Sequence, residues 1–135
     1  MHKKIINTKN APLPIGPYSQ AILADDTLYC SGQIPVNPQT NELVVGSIAE
    51  QTHQVMKNIG AVLMAADMSF GNVVKTTIFL RDMNDFPKVN AIYGGYFAVE
   101  ADGLSSEPYF PARETVEVSR LPKDVLVEIS VVGVK

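Results

Sequence analysis

The chain has 135 residues, 46% of them hydrophobic and 19% charged, enough to bury one continuous core. Its net charge is -3, its pI is about 5.3, and arginine occurs only at 81, 113 and 120, so no basic stripe is present for a nucleic-acid backbone. The lone Cys30 excludes an internal disulfide framework and suits a reducing compartment. MHKKIINTKNAP has no apolar run of the length a signal peptide or membrane span needs, so a cytoplasmic protein is expected.

No repeat, low-complexity tract or Pro/Gly-rich linker divides residues 1–135, and a single domain is expected. Residues 4–7 form a short edge-strand candidate. Residues 18–24 and 27–34 make two strand-like runs around Asp25-Asp26, a hairpin turn. PVNPQTNE, 35–42, is turn chemistry. In SIAEQTHQVMKNIGAVLMAA, Ser47 and Glu50 make a capping box, and Ile48, Thr52, Val55, Ile59, Val62 and Ala66 recur at helical spacing. Met56, Met64 and Met68 read as core filler and helix termination. VVKTTIFL, 73–80, is a β-branched strand. A second helix begins near Asp85, with Pro87 in its first turn and Val89, Ile92 and Tyr96 on one face. Strands 113–119 and 125–133, joined by RLPKD, end the chain. The order β-β-β-α-β-α-β-β is that of an α+β domain.

Two features stand out in the terminal strands. Arg113 sits at the mouth of YFPARETVEV, and Glu128 interrupts the nearly apolar VLVEISVVGV. Side chains alternate faces along a strand. With the two strands as a hairpin and their valines buried together, Arg113, Thr115 and Glu117 share the opposite face with Leu126, Glu128 and Ser130. Two helices cover only one side of a sheet of about six strands. The uncovered side is too apolar for water and too polar for a dry core, so self-association is expected.

Five blocks, APLPIGPYSQA (11–21), CSGQIPVNP (30–38), VVKTTIFLRDMNDFPKVNAIY (73–93), FPARETVEV (110–118) and RLPKDVLVEI (120–129), resemble in order the signatures of the reactive intermediate (enamine/imine) deaminases. This is the Rid family, of RidA/YjgF-type endoribonuclease L-PSP-like proteins. The resemblance spans nearly the whole chain. It implies a chorismate-mutase-like subunit and a homotrimer with sites at subunit interfaces. It also implies cofactor-free hydrolysis of 2-imino acids (2-aminoacrylate/2-iminopropanoate, 2-iminobutanoate) to 2-keto acids and ammonia. Such imines leave pyridoxal-phosphate dehydratases.

By position, the resemblance implies that Arg113 binds the substrate carboxylate, Glu128 activates water and Tyr18 is the site tyrosine. Ser31, Gly32, Asn90 and Thr115 would line the site. Thr115 stands where many relatives have cysteine. AVEADGLSSEPY, 98–109, is longer than the family pattern and bears on the pocket rim. An arginine fork suits a carboxylate, and a glutamate within reach of water suits proton abstraction.

His2, His53 and Cys30 offer no zinc-ligand spacing, and no phosphate loop or nucleophile elbow is present. His53 reads as an ordinary helix residue and Cys30 as a small buried hydrophobe. Two alternatives stand beside the enzyme: a trimeric module that binds small carboxylates and needs Arg113 but not Glu128, and an RNA-cleaving translation inhibitor. The acidic balance opposes the second.

Overall fold

A computed structural model describes residues 2–98 and 109–135. The main sheet contains β1 (Lys3–Ile6), β2 (Ala21–Ala24), β3 (Thr27–Cys30), β6 (Val73–Leu80), β7 (Ala112–Glu117) and β8 (Val127–Val134). Val36–Asn37 (β4) and Glu42–Leu43 (β5) form a separate two-stranded ribbon within the expected turn segment. The helices are α1 (Ile48–Ala65) and α2 (Phe86–Ala98). The architecture is the α+β arrangement expected, with shorter strands at the N-terminal end.

The sheet order is β1-β2-β3-β8-β6-β7. β2 and β3 pair across the Asp25-Asp26 turn, where Asp25 takes φ 51°, a left-handed position that aspartate tolerates. α1 begins at Ser47, whose Oγ accepts the Glu50 N–H at 3.2 Å. All six periodic positions expected to face inward are buried, from Ile48 to Ala66. Met56 and Met68 are buried too, but Met64 is 74% exposed and fills no core space. On α2 the core face is Val89, Tyr93 and Phe97, spaced by four; Ile92 and Tyr96 flank it half-buried.

The terminal hairpin does not form. β6 lies between β7 and β8, pairing parallel with β7 and antiparallel with β8. The reason lies in the connections. α2 is a crossover, which returns the chain parallel to β6. β8, flanked by β3 and β6, takes the central place that its long apolar run suits, and β7 is left at the edge. The register pairs Arg113 with Thr76 and Thr76 with Val131, whereas Glu128 pairs with Phe79 and Phe79 with Val116. Arg113, Thr115 and Glu117 therefore face the helices, and Glu128 and Ser130 face away.

The helix side of the sheet is closed by Leu28, Ile78, Leu80, Val127 and Ile129, none measurably exposed. The other side is bare. Ile5, Tyr29 and Val116 stand there 58%, 54% and 42% exposed, beside the Lys75–Glu114 ion pair at 2.9 Å. Among the described residues, no helix is long and apolar enough to cross a membrane.

Candidate functional site

Six of the seven candidate residues line one of two cavities, and Thr115 lines neither. Arg113 projects from the edge strand under α2. Its Nη1 donates to Asn90 Oδ1 at 2.7 Å. Its guanidinium carbon lies 5.3 Å from the centre of the Phe86 ring and 5.1 Å from that of Tyr93, a cation–π sandwich worth about 0.5–1 kcal/mol at an exposed position. Tyr93 is anchored through its hydroxyl, which donates to buried Thr76 Oγ1 at 3.0 Å. Burial raises the Tyr93 pKa, with the Thr76 bond and the Arg113 charge acting the other way. The guanidinium is thus oriented on two rings and one amide, and its remaining donors have no partner among the described residues. Arg113, Asn90, Tyr93, Gly94, Phe110 and Pro111 line a cavity of about 410 Å³. Two residues along the same face, Thr115 Oγ1 is buried with no hydrogen-bond partner among the described residues.

Glu128 lies in a second cavity, of about 420 Å³, with Ile15, Tyr18, Ser31, Gly32 and Lys123. The chain beyond β3 runs alongside β8: Gln33 N–H donates to Ile129 O at 2.8 Å, and Ile129 N–H to Gln33 O at 3.2 Å. This bridge brings Gly32 against Glu128. A Cβ at Gly32 would lie 2.8 Å from Glu128 Cδ and 3.1 Å from Cγ, so only glycine leaves the carboxylate where it is. Ser31 spends both donors locally, Oγ on Ser19 O at 2.6 Å and N–H on Gln20 O at 2.9 Å. The Gly32 N–H has no partner among the described residues.

Gln20 secures the segment leading to Tyr18. It is 1% exposed, accepts the Thr8 N–H at 2.7 Å, and shares its amide protons among the carbonyls of Thr8, Ala11 and Pro12. Tyr18, at 53% exposure, stands at the mouth of the cavity. Burial raises the Glu128 pKa above the usual glutamate value, and no cation or hydrogen bond among the described residues offsets it.

Within one chain the two groups do not meet. Arg113 and Glu128 are three register positions and two strands apart, about 14 Å between backbones by strand geometry, and on opposite faces. Neither forms an ion pair among the described residues.

Cys30 is buried, its thiol pushed up to about 12 by desolvation. His53 Nδ1 is 2.9 Å from Tyr96 Oη on the outer helix surface, away from both cavities. No cluster of three metal-ligating side chains occurs among the described residues. The long 98–109 segment lies almost wholly outside those residues. Sequence reasoning missed Tyr93 and Phe86, which orient Arg113, although Tyr93 follows Asn90 at the i+3 spacing of one helix face. It also missed Lys123, which enters the Glu128 cavity from a turn where Lys123 and Asp124 both have left-handed φ, 55° and 57°. The Arg120–Asp124 ion pair at 2.8 Å braces that turn.

Residues 8–135 match the family described as Endoribonuclease L-PSP. The chain is 53% identical over 133 residues to a RutC family protein of Pyrococcus horikoshii, with 98% of each chain covered. It is 46% identical over 133 residues to the human 2-iminobutanoate/2-iminopropanoate deaminase, covering 98% of this chain and 90% of the human one. Among solved structures, it is similar to the Rid family protein YyfA of Yersinia pestis, with TM-score 0.91, 51% identity and coverage of 99% and 100%. It is also similar to Escherichia coli TdcF with bound serine, with TM-score 0.89, 39% identity and 98% of each chain covered. Likeness of this extent in sequence and fold shows that the chain belongs to the endoribonuclease L-PSP family, the RidA/YjgF group that includes the RutC family proteins.

Proposed function

We propose that the protein hydrolyses 2-imino acids and their enamine tautomers, such as 2-aminoacrylate/2-iminopropanoate and 2-iminobutanoate, to 2-keto acids and ammonia. The reaction needs no cofactor and takes place between subunits of a homotrimer. The observation that carries this reading is a pair of unsatisfied, complementary groups held apart in one chain. Among the described residues, Arg113 has donors without a partner on the helix side of the sheet edge, and Glu128 is a carboxylate without a partner on the bare side. A contact between two different patches is heterologous, and closing it gives a ring; three is the ring size that the family resemblance implies. The names of the human relative and of the serine-bound TdcF support a small amino-acid-like substrate.

In the assembled site, Arg113 binds the substrate carboxylate through two parallel N–H donors. Glu128 from the neighbouring subunit accepts a proton from water as the oxygen adds to the C=N carbon. The nitrogen takes up a proton from solvent, giving a carbinolamine. On collapse the C=O bond forms and the C–N bond breaks; the proton held by Glu128 passes to the leaving nitrogen, which departs as ammonia, and the hydroxyl proton returns to solvent. Tyr18 Oη and the Gly32 N–H, which has no partner among the described residues, would hydrogen-bond the nitrogen or the water. Proton transfer of this kind contributes about 10²–10⁴-fold, and positioning supplies the rest. A ribonuclease reading draws on the family's description. The net charge of -3 and the pairing of Lys75 with Glu114 on the bare face disfavour it, since phosphate binding needs free cations.

The test is a coupled assay in which a pyridoxal-phosphate threonine dehydratase supplies 2-iminobutanoate and semicarbazide traps what escapes hydrolysis. Wild type accelerates release of 2-ketobutanoate; Arg113→Ala and Glu128→Gln do not. Mixed trimers assembled from equal amounts of the two variants recover about a quarter of wild-type activity, because one site in four then draws Arg113 and Glu128 from intact donors in a heterologous ring. No acceleration by wild type defeats the hydrolase, and an inert mixture defeats the shared site.

A further inference from the structure

α2 carries consecutive glycines, Gly94 and Gly95, in its interior, although glycine is the weakest helix former after proline. Neither is required by packing among the described residues, where a Cβ at either position would meet nothing within 4 Å. Neither is required by a left-handed backbone, for both lie inside a regular helix. The two differ in what they face. Gly95 borders a shallow groove with His53 and Tyr96 on the outer surface, whereas Gly94 lies one turn beyond Asn90 and lines the Arg113 cavity. Across from Gly94 stand Pro111 and Phe110, the latter 59% exposed with its ring 6.5 Å from that of Phe97. The cavity is thus divided by chemistry. Arg113 and Asn90 form a polar end, and the space between Gly94 and the Phe110–Pro111 wall is bounded by carbon. At about 410 Å³ it has the size of sites that take ligands well beyond a three-carbon acid.

We propose that Gly94 is a specificity-determining position whose missing side chain leaves room for the apolar side chain of a branched or aromatic 2-imino acid, held by its carboxylate on Arg113. This rests on the imine-hydrolase reading and narrows its substrate class. The carboxylate occupies the guanidinium, and the side chain extends along α2 over Gly94 against Phe110. A leucine at 94 would fill that space without straining the helix. The change acts on substrate fit, not on the proton-transfer groups around Glu128, which the neighbouring subunit supplies in the proposed site.

The experiment compares wild type with Gly94→Leu on imines made in situ by D-amino-acid oxidase from D-leucine or D-alanine, read as the fall in semicarbazone formation. The expected result is a wild-type preference for the leucine-derived imine over 2-iminopropanoate. The ratio of the two kcat/KM values falls at least tenfold in Gly94→Leu, the size of effect that a few methylenes produce in an apolar pocket. The thermal midpoint of Gly94→Leu does not fall. A ratio unchanged within twofold, or a wild type that prefers the smaller imine, overturns the proposal. If wild type hydrolyses neither imine, the hydrolase reading fails on its own. Calorimetric binding of 4-methyl-2-oxopentanoate against pyruvate then decides: a wild-type preference lost in Gly94→Leu supports the pocket, and equal or absent binding overturns it.

Discussion

Replacing Gly32 by alanine moves the proposed base, Glu128, and little else. The new Cβ would lie 2.8 Å from Glu128 Cδ and 3.1 Å from its Cγ, whereas carbon atoms in comfortable contact are about 3.5–4.0 Å apart. The carboxylate must therefore withdraw by about 1 Å. It can do so because it is the far end of a flexible side chain with no partner among the described residues to lose. Gly32 is not in a left-handed conformation, so alanine adds no backbone strain. The cost falls on geometry: a 1 Å misplacement of a catalytic group is worth about 10²-fold, or about 2.7 kcal/mol of transition-state stabilisation. In the threonine dehydratase-coupled assay, kcat/KM for 2-iminobutanoate should fall by that factor while the thermal midpoint stays within about 3 °C of wild type, less than the shift 1 kcal/mol produces in a chain this size. A double-mutant cycle sharpens the test. In a Glu128→Ala background, Gly32→Ala should cost nothing further, because the residue on which it acts is gone. Near-wild-type turnover in the single variant, or a full second loss in the double, would refute the coupling of Gly32 to Glu128.

Burial holds the Glu128 pKa above the ordinary glutamate value, so turnover should rise with pH through a midpoint higher than that of an exposed glutamate. The folded chain binds this proton more tightly than the unfolded chain. The associated stability is present below the unfolded pKa and lost as pH rises through the folded one, and Glu128→Gln should remove that slope from urea midpoints measured across the same range. A Glu128→Gln slope equal to wild type would contradict the assignment. Cys30, buried with its thiol pushed up to about 12, should resist thiol reagents at pH 8 and react fully in urea; rapid labelling of the native protein would show an open thiolate. Gln20→Leu leaves the Thr8 N–H and three carbonyls without the amide that serves them. It should lower stability by about 2–3 kcal/mol in urea titrations and depress turnover by loosening the Tyr18 segment, and an unchanged urea midpoint would show that water replaces the amide.

Local pattern was a sound guide wherever one element settles its own fate. The α1 stripe from Ile48 to Ala66 and the β6 boundaries, Val73–Leu80, emerge as read. On α2 the rotation about the helix axis was misjudged. Tyr93 and Phe97, not Ile92 and Tyr96, take the core with Val89, because the choice depends on where α1 and the sheet lie and not on α2's own residues. The larger miss was the face of Arg113. Alternation within 112–117 was right, but strand parity cannot say which strand is the neighbour. Once β6 intervenes, valines at 116 and 118 no longer need to join those of β8. The family pattern pointed to the same seven residues while carrying no information about which side of the sheet each one occupies.

The separation explains the oddities of the sequence better than a single-chain site would. A glutamate in the most apolar strand, a glycine in a helix interior with no packing reason, and a lysine at φ 55° each break a local rule, and breaks of this kind concentrate where function overrides stability. All three line one of the two cavities: Gly94 the Arg113 cavity, Glu128 and Lys123 the other. A monomer gains nothing evident from them, since it leaves a stacked guanidinium and a desolvated carboxylate with no ion pair among the described residues, on opposite faces of one sheet. The proposed ring would set the β7 edge of one chain against the bare face of the next and so bring Arg113 to Glu128. On this reading, folding and catalysis divide at the sheet. The helix side holds the chain together and aims Arg113, and the bare side waits for a neighbour to bring the substrate to Glu128.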